Sequence, residues 1–471
     1  MIDTQAIRNK ILDLAMRGQL TEQMPEDGTA EELYQQIQAE KQALIKSGKV
    51  KKEKAFSESP VFKPYPFDIP KNWKFIRFGE LMINRDSERI PVSVADRRKR
   101  KKLYDYYGAS GVIDGIDDFL FDKDLLLIGE DGANLLARSS PIAFIASGKY
   151  WVNNHAHVLD VCSGTDIRYI CRYINAISLD KYVTGSAQPK MNQENMNAIW
   201  VALPPYDEQQ RIVDKIDRAF SVLDAIDSLQ AQYADNLTAL KAKLIDAAIQ
   251  GKLTEQLPEE GTAEELYREV QAERKRQEEA GTIKAVELIP EIDKSEKTFG
   301  IPSNWKWTNL GNVSYIVRGG SPRPIKQYIT TREDGINWIK ISDVEKGGKY
   351  IYSTHEKIIP EGESKSRHVY PGDFLLTNSM SFGRPYISKI EGCIHDGWLL
   401  IHSLNGFDPD YLYYLLSSTY LYGQFTVKAS GSTVDNLNID KVKNAIIPLP
   451  PLAEQKRIAQ KIDELMPLFE K

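Results

Sequence analysis

The sequence predicts an α+β fold in which two mixed α/β domains, related by pseudo-two-fold symmetry, are separated by long antiparallel coiled-coil helices. Three observations predict this fold. Long segments recur in the two halves of the chain, a helical stretch of about 40 residues lies between the halves, and the segments that do not recur have the pattern of mixed sheet and helix. The 471 residues are enough for two or three domains.

The first observation is an internal repeat. The segment KILDLAMRGQLTEQMPEDGTAEELYQQIQAE from Lys10 returns as KLIDAAIQGKLTEQLPEEGTAEELYREVQAE from Lys243. FDIPKNWK from Phe67 returns as FGIPSNWK from Phe299. A third pair, LPPYDEQQRI and LPPLAEQKRI, lies near the other end of each half, and the sequence between the second and third pairs diverges almost completely. The chain therefore alternates repeated segments with freely varying ones.

The order of the repeated segments is permuted. In the middle of the chain LPPYDEQQRI leads directly into KLIDAAIQGKLTEQ, whereas at the ends the second element opens the chain and the first closes it. Joining the two ends would restore the missing junction. We therefore expect the two ends of the chain to lie close together and the halves to be related by approximate two-fold symmetry.

The second observation is a coiled-coil seam. Residues 211–250 contain no Pro or Gly, and Gly251 stands where a helix would end. Taken alone, the seam could equally be ordinary core or a homodimer contact. A second copy, split between 458–469 and 7–14, favours an antiparallel pair within one chain. The seam positions alternate in steps of four and three: Ile212, Ile216, Ala219, Leu223, Ile226, Gln230, Tyr233, Leu237, Leu240, Leu244 and Ala247.

The third observation concerns the varying segments, which are rich in Tyr, Trp, Ile, Gly and Asn and carry frequent turn signals. The two stretches ICRYI and YLYYLL look like helices packed on their sheets. The predicted organisation is a repeated helical segment (1–45), a first variable domain (60–205), a central repeated spacer (206–280), a second variable domain (290–450) and the start of a repeated helix (451–471).

Composition excludes several classes of protein. With 42% hydrophobic and 27% charged residues, no apolar run long enough for a bilayer and no secretory signal, a cytoplasmic protein without a membrane role is expected. Three cysteines without a CxxC cannot alone complete a disulfide framework or a zinc site. A net charge of −5 argues against coating nucleic acid by charge alone, but allows a local positive face.

Two stretches have chemistry suited to nucleic acid. Six consecutive cations, 97–102, lie beside tyrosines; such a run is usually a solvated loop, but here it could neutralise phosphates. The stretch RGGSPR at 318–323 combines glycines, which let the main chain approach closely, with two guanidiniums that can bind guanine. Alternatively, the RGGSPR stretch is simply a hairpin loop. Two aligned loops of small and polar residues, 185–190 and 431–436, precede the return to the helices.

Motifs of known catalytic centres are absent from the sequence. There is no GxxxxGK[ST], so no P-loop for ATP. LPPY resembles the (Asn/Asp)-Pro-Pro-Tyr motif of amino-methyltransferases, but Leu203 replaces the residue that accepts the target amine, so we interpret the element as a strand end followed by a helix start. His155 and His157 lack a third metal ligand at useful spacing. We therefore expect no catalytic and no metal-binding residues. The alternatives are an enzyme with an unfamiliar site and a coiled-coil adaptor without a DNA role.

Together, the permuted order, the GxLTEQ…GTAEELY and IPxxW elements and the LPPxxEQxxI helix starts resemble the specificity subunit of type I restriction–modification systems. The resemblance covers essentially the whole chain. YGASGV from Tyr107 and GEDGAN from Gly129 look like one class of target-recognition domain, whereas RGGSP from Arg318 and GRP from Gly383 look like another. One departure is that the C-terminal helix stops at Lys471, earlier than the repeat predicts.

The resemblance implies a non-catalytic subunit whose two target-recognition domains read the halves of an interrupted site in double-stranded DNA. It implies two modification subunits that methylate adenine with S-adenosylmethionine, and motor-nuclease restriction subunits that use ATP and Mg²⁺, with no cofactor in this chain. The residues expected to contact DNA are Arg97, Arg98, Lys99, Arg100, Lys101, Lys102, Tyr107, Ser110, Gln188, Lys190, Arg318, Gly319, Ser321, Arg323, Arg384, Ser432 and Asn436.

Overall fold

The computed structural model describes residues 1–50, 65–185, 188–345, 347–378, 383–426 and 437–469. It divides into two units, Met1–Ala231 and Gln232–Lys471. Each unit contains both helices and sheets, which confirms the predicted α+β class. The boundary falls inside the predicted central spacer, and the predicted domain limits themselves stay predictions. Among the described residues, no helix is long and apolar enough to cross a membrane.

The first unit carries ten strands and eight helices among its described residues, the last helix continuing into the second unit. The helices are α1 (Thr4–Met16), α2 (Ala30–Lys46), α3 (Phe78–Leu81), α4 (Val94–Arg97), α5 (Asn134–Ala137), α6 (Ile167–Ala176), α7 (Gln193–Asn197) and α8 (Tyr206–Ile249). The strands are β1 (Lys74–Arg77), β2 (Met82–Asn84), β3 (Tyr104–Gly108), β4 (Gly111–Ile116), β5 (Phe121–Asp122), β6 (Leu125–Gly129), β7 (Ala143–Ala146), β8 (Lys149–Val152), β9 (Ala156–Val161) and β10 (Trp200–Leu203).

The second unit repeats this plan with different strands in its variable part. Its further helices are α9 (Ala263–Glu279), α10 (Leu310–Val313), α11 (Pro409–Ser417), α12 (Thr419–Thr426), α13 (Ile439–Lys443) and α14 (Leu452–Leu465). Its strands are β11 (Lys306–Asn309), β12 (Ser314–Arg318), β13 (Ile329–Thr330), β14 (Ile336–Ile339), β15 (Tyr350–Ile351), β16 (Glu356–Ile358), β17 (Arg367–Val369), β18 (Phe374–Thr377), β19 (Pro385–Ser388), β20 (Gly392–Ile394), β21 (Trp398–Ser403) and β22 (Ile446–Leu449).

Within the part of the chain that the structure describes, each unit contains two larger sheets and one two-stranded ribbon. The first unit has sheets of order β2-β9-β6-β7 and β4-β3-β8-β5, with the ribbon β1-β10. The second has β12-β21-β18-β19-β15 and β13-β16-β14-β20-β17, with the ribbon β11-β22. The ribbons join the IPxxW and LPP segments in antiparallel register. The repeated segments therefore lie directly before and directly after the variable sheets in the sequence, and the ribbon joins them.

The apolar strand β6 explains how the core of the first unit is layered. All five of its residues are buried. Leu126 and Ile128 belong to the core shared with α6, whereas Leu125 and Leu127 belong to a second core shared with β8. Alternate side chains of a strand point to opposite faces, so a strand covered on both faces is a continuous apolar run rather than an alternating one. β18 has the same role in the second unit, where Leu375 faces away from the helices.

Helix α1 runs antiparallel to the first part of α8. Ile2 N, just before α1, donates to Gln230 Oε1 at 2.5 Å, and Arg8 on α1 pairs with Asp224 at 2.8 Å. Residue numbers therefore rise along α1 in the direction in which they fall along α8. Arg8 also lies over the ring of Phe220. The antiparallel pairing predicted from the split repeat is confirmed for this half. The proximity of the two chain ends stays a prediction.

The predicted seam is buried near the start of α8 and exposed in its middle. Ile212, Ile216 and Leu223 are buried, whereas Tyr233 is 54% exposed and Leu240 is 47% exposed. Ile2, just before α1, lies opposite Gln230, so the buried part of the seam is the part along which α1 runs. The four–three spacing thus identifies the buried positions correctly along this first part of α8.

Replacing Leu223 by Asp is expected to lower the free energy of unfolding of the first unit by about 3–5 kcal/mol, because the change removes a buried apolar side chain and introduces an unpaired carboxyl. The neighbouring Val222 is 61% exposed, so Val222→Asp serves as the matched control, with an effect within about 0.5 kcal/mol. Leu237→Asp, at a half-buried position, should fall between the two. Urea unfolding followed by circular dichroism measures all three, and equal effects at Leu223 and Val222 would contradict the seam assignment.

The repeated segments of each half meet at one buried carboxylate. Glu208, in the first turn of α8, is completely buried. Its oxygens accept hydrogen bonds from Thr21 Oγ1 at 3.0 Å, Gln23 Nε2 at 2.9 Å and Trp73 Nε1 at 2.9 Å. The donors belong to the LTEQ and IPxxW segments and the acceptor to the LPPxxEQ segment. We call Glu208 and its equivalent, Glu454, the carboxylate hubs.

The second carboxylate hub has the same geometry. Glu454 is completely buried in the first turn of α14, and it accepts from Thr254 Oγ1 at 3.0 Å, Gln256 Nε2 at 3.1 Å and Trp305 Nε1 at 2.8 Å. Gly251, at φ +71°, packs so closely on the IPxxW segment that an added Cβ would lie 2.5 Å from Pro302. The hubs explain physically why these short segments recur together.

Candidate nucleic-acid interface

Three polar loops of the first unit meet at one edge of its sheets. An added Cβ on Gly129 would lie 2.7 Å from the Ala109 carbonyl, so the loop after β6 touches the β3–β4 turn. Gly132 N donates to Pro189 O at 3.0 Å, and the main chains of Asp131 and Lys190 form an isolated antiparallel β-bridge. We call residues 108–111, 129–134 and 188–191 the first loop cluster. It brings together the predicted site residues Ser110, Gln188 and Lys190, all of them exposed, with Tyr107, whose ring stacks on Phe144.

Glu130 organises the first loop cluster. Its carboxylate pairs with Lys190 at 3.2 Å and with Arg89 at 3.1 Å, and its carbonyl accepts from Met191 N at 2.9 Å. The loop that carries Gln188 and Lys190 is therefore held to the loop after β6 by both main chain and charge. Nothing in the local sequence pattern of Glu130 indicated this role, because its partners lie about 40 to 60 residues away.

A buried histidine lies beneath the same loops. His157 is 1% exposed, and its Nδ1 lies 2.7 Å from Asp86 while its Nε2 lies 3.0 Å from the Met191 carbonyl. Both partners only accept hydrogen bonds, so both ring nitrogens must carry protons. Burial alone lowers the pKa of His157, but the hydrogen bond and charge of Asp86, the Met191 carbonyl and the charge of Glu130 outweigh it, and the pKa lies above its ordinary value.

The protonated His157 makes the stability of the first unit depend on pH. Because its pKa is raised in the folded state, its contribution is complete below the unfolded value of about 6.5 and is lost as pH rises through the folded pKa. We expect wild type to lose stability relative to His157→Gln as pH increases from about 6 to 9. Thermal unfolding of both proteins across this range measures the difference. A constant difference would mean that the pKa of His157 is the same in the folded and unfolded states, and a wild type that gains stability with rising pH would mean that His157 is neutral in the folded protein.

The predicted cationic run is largely paired within the protein. Arg97 is buried at the end of α4, where its Nε lies 2.7 Å from Asp114 and its guanidinium covers the ring of Tyr106. Lys102 holds the other oxygen of Asp114 at 2.8 Å. These two hydrogen bonds keep the pKa of Asp114 well below its usual range. Arg97 therefore acts within the fold and is not available to phosphate, although the sequence alone grouped it with the others.

The remaining cations of the run are more accessible. Lys99 lies 3.6 Å from Asp96, and Arg100 lies 3.4 Å from Asp117. Arg98 and Lys101 are exposed and form no ion pair with any residue that the structure describes. The run lies at the open end of the β3–β4 hairpin, about 14 Å along β3 from the first loop cluster. The structure does not bring the cationic run and the first loop cluster together.

The predicted RGGSPR loop of the second unit is built around one carboxylate. Asp396 accepts from Ser321 Oγ at 2.8 Å and from Arg323 at 3.0 Å, and its carbonyl accepts from Arg318 Nε at 3.2 Å. Asn378, directly after β18, donates to the same carbonyl at 2.8 Å. We call residues 318–323, 378 and 395–397 the second loop cluster. Both guanidiniums are exposed, with Arg323 at 78%.

Gly319 is required where it stands. A Cβ at this position would lie 2.1 Å from the His395 carbonyl oxygen, and its N–H donates to Trp398 O at 2.9 Å. Only glycine allows the end of β12 to pass this close to the adjacent main chain. The sequence-based expectation that the glycines permit a close approach is explained here by a contact inside the protein. Their use against DNA stays a prediction.

Arg384 lies at the same edge of the second unit. Its main-chain N–H donates to Thr377 Oγ1 at 3.1 Å, next to Asn378. Beside it opens a cavity of about 750 Å³ whose wall includes Tyr386, Tyr413 and Tyr422. A guanidinium with several aromatic rings is an arrangement that can stack on nucleic-acid bases. This cavity could not be identified from the sequence, because its tyrosines come from three separate elements.

Several of the predicted site residues stay predictions. Ser432 and Asn436 lie outside the described residues, although Leu437, which follows them, donates to Asn378 O at 3.0 Å. Whether any of the predicted residues contacts DNA stays a prediction. His155 pairs with Asp131 at 2.8 Å, and both nitrogens of His157 are occupied as described above. This pair therefore does not present two free imidazoles to one metal ion.

The two loop clusters occupy equivalent places. β6 and β18 are each flanked on one side by the longest strand of the sheet, β9 or β21. In each unit, polar groups follow directly after β6 or β18. The loop after β6 contacts residues that precede α7, and the residue after β18 contacts Leu437, which precedes α13. The sequences of the clusters differ completely. The same topological position thus presents different chemistry in each unit.

Comparison with known proteins agrees with this description. The family model for the type I restriction modification DNA specificity domain matches residues 70–232 and 302–470. The specificity subunit of the type I restriction enzyme EcoEI of Escherichia coli is 25% identical, with 97% of this chain and 88% of the relative covered. That of EcoAI, also from Escherichia coli, is 24% identical, with 98% and 88% covered.

A solved structure shares the fold. That structure comes from work on the structural basis of complex assembly and conformational transition in the type I R-M system. It matches this chain with a TM-score of 0.55 and 15% sequence identity. The match covers 86% of this chain and 93% of the solved one. The resemblance inferred from the repeated segments is confirmed. Because the family model covers more than half of the sequence and both of its halves, this chain belongs to the family of type I restriction–modification DNA specificity subunits.

Proposed function

We propose that this specificity subunit reads a two-part DNA site, with the first loop cluster reading one half and the second loop cluster reading the other. As a member of its family, the chain is the DNA-recognition subunit of a type I restriction–modification system. The observation that carries the division of labour is the equivalence of the two clusters. Each lies at the same edge of its unit, and their residues differ while the carboxylate hubs remain the same.

The chemistry of the clusters supports this reading. Exposed arginines can bind guanine bidentately in the major groove, and exposed amides such as Gln188 can bind adenine. Arg98 and Lys101 are exposed and can hold phosphate, a contact that positions a protein on DNA without reading its sequence. Two different readers in one chain recognise two different half-sites, so the full site is asymmetric.

The catalytic chemistry is assigned to partner subunits. We propose that two modification subunits methylate adenine N6 with S-adenosylmethionine and that restriction subunits use ATP and Mg²⁺ to translocate and cleave DNA, in the cytoplasm where the DNA lies. The relatives EcoEI and EcoAI are named as specificity subunits of type I restriction enzymes, which supports a non-catalytic role within a larger complex.

A domain exchange tests the proposal. Replacing residues 310–445, which lie between β11 and β22, by the matching segment of a relative should change one half of the methylated site and leave the other half unchanged. Methylome sequencing of cells that carry the modification subunit with either chain measures this. A change in both halves or in neither would contradict independent readers. Methyl transfer by the purified chain alone with S-adenosylmethionine would contradict the non-catalytic assignment.

A further inference from the structure

One group of side chains in the second unit is not explained by DNA recognition. Glu363, His368 and Cys393 each offer a ligand atom, and the three atoms lie within 4.8 Å of one another. They come from three elements: Glu363 from the 3-10 turn Pro360–Lys365, His368 from β17 and Cys393 from β20. His368 and Cys393 are direct cross-strand partners, so their side chains point to the same face of the sheet.

We propose that Glu363, His368 and Cys393 bind one thiophilic divalent cation of the Zn²⁺ class. This inference does not depend on the proposed DNA-reading function. The donor set contains one sulfur, one imidazole nitrogen and one carboxylate oxygen, which together suit tetrahedral Zn²⁺ or Co²⁺ and not Mg²⁺ or Ca²⁺. Three protein ligands leave the fourth position to water.

The distances are close to those that a metal site needs. With bonds of about 2.0–2.3 Å, tetrahedral ligand atoms lie about 3.3–3.6 Å apart. Glu363 Oε1 lies 2.6 Å from His368 Nδ1, and the sulfur lies within 4.8 Å of both groups. Side-chain shifts of about 1 Å therefore suffice. The Glu363 side chain is 45% exposed and can move, whereas the two strands fix the other ligands.

A second carboxylate orients the imidazole. His368 Nε2 lies 2.8 Å from Glu391 Oε1, which leaves Nδ1 toward the other two ligands. Such outer carboxylates commonly fix a histidine that binds a metal. Cys393 is completely buried. A metal binds cysteine as the thiolate, so this ligand favours a metal with high affinity for thiolate.

The proposed site supports the second loop cluster. Ser366 Oγ donates to Ile394 O at 2.8 Å, and the same carbonyl accepts from Gly320 N at 3.2 Å. A cation would link the turn before Ser366 to β20, directly beneath the glycines of the RGGSPR loop. Binding is therefore expected to raise the Tm of the second unit as well as to fill the site.

Cobalt titration of the full chain, prepared with a chelator and then freed of it, tests the proposal. We expect one equivalent of Co²⁺ to bind with a thiolate-to-cobalt charge-transfer band in the near ultraviolet, and Zn²⁺ to displace it. Cys393→Ser should abolish the band, whereas Cys162→Ser and Cys171→Ser, at the two other free cysteines, should keep it. His368→Gln should weaken binding by more than about 100-fold and Glu391→Gln by about 10–100-fold.

Three results would overturn the proposal, two from the cobalt titration and one from thermal unfolding. The first two are the absence of a charge-transfer band at one equivalent and the persistence of the band in Cys393→Ser. If Cys393→Ser fails to fold, as judged by its far-ultraviolet dichroism, the half-exposed Glu363→Gln takes its place and must weaken Co²⁺ binding. If Zn²⁺ leaves the Tm of wild type unchanged and His368→Gln lowers Tm equally with and without it, His368 serves only to join two glutamates.

Discussion

Replacing Glu454 by Ala is expected to lower the free energy of unfolding of the second unit by about 3–5 kcal/mol. The substitution leaves the buried Trp305 Nε1 and the half-buried Thr254 Oγ1 without their acceptor, whereas the exposed Gln256 Nε2 keeps a hydrogen bond to the Thr254 carbonyl. Hydrogen bonds to a charged group contribute about 1.5–3 kcal/mol each, and a buried donor left unpaired costs about 1–3 kcal/mol. The sum of these terms is reduced because the emptied space can partly relax or admit water.

A matched control lies on the same helix. Glu464 is 64% exposed and, among the described residues, its one ion pair is with Lys461, three residues earlier, so Glu464→Ala should change stability by less than about 0.5 kcal/mol. Glu454→Gln should be intermediate, because it keeps one acceptor but turns an amide N–H toward the N–H of Trp305. Urea unfolding with hydrogen exchange of peptides from α9 and α14 assigns the loss to the second unit. Equal effects of Glu454→Ala and Glu464→Ala would show that the carboxylate hub is dispensable.

The helical part of the fold could be predicted because its signals are local. Pro204 and Pro205 precede α8 and Gly251 follows it, and the structure places the helix at Tyr206–Ile249, as expected. The strand end and helix start assigned to LPPY are also confirmed, by β10 and α8. The repeat showed which segments belong together. It did not show that they meet at a buried carboxylate, because the hub joins residues nearly 190 apart.

The candidate site could be predicted only in part, because charge along the sequence does not reveal pairing in space. Arg97 was grouped with its neighbours, but the register of β4 places Asp114 against it. Asp396, which shapes the RGGSPR loop, lies more than 70 residues from its partners. No pattern near Asp396 or Glu130 marks them, since their roles come from strand order. The loops themselves were found because glycine, proline and polar residues cluster in them.

Removing guanidiniums from the second loop cluster is expected to reduce sequence-specific binding selectively. Arg318→Ala and Arg323→Ala should each weaken binding of the methylation complex to its cognate site by about 1–3 kcal/mol, or about 5–150-fold, and relax the specificity at one position. In the free protein Arg323 pairs with Asp396 at 3.0 Å, but the pair is exposed. Breaking this ion pair so that Arg323 can contact a base therefore costs little free energy.

The accessible cations of the run should behave differently. Arg98→Ala with Lys101→Ala should weaken cognate and scrambled duplexes alike, and the slope of log K against log salt should fall by about 0.9 for each phosphate that the protein no longer neutralises. Arg97→Ala should instead destabilise the first unit, because its guanidinium is buried against Asp114 and Tyr106. Lys297→Ala, at an exposed cation outside both clusters, is the control and should change neither property.

Titrations of cognate and scrambled duplexes at several salt concentrations distinguish a lost base contact from a lost phosphate contact. A lower affinity alone does not distinguish them, because both changes weaken binding. If the Arg318 and Arg323 variants lose cognate and scrambled binding equally, the two residues hold phosphate, and the assignment of base reading to this loop is wrong. If neither the loop nor the run matters, base reading rests on the other predicted segments. These are 185–190, part of which belongs to the first loop cluster, and 431–436. The first of them carries Gln188 and Lys190, which Glu130 holds at the exposed edge of the first unit.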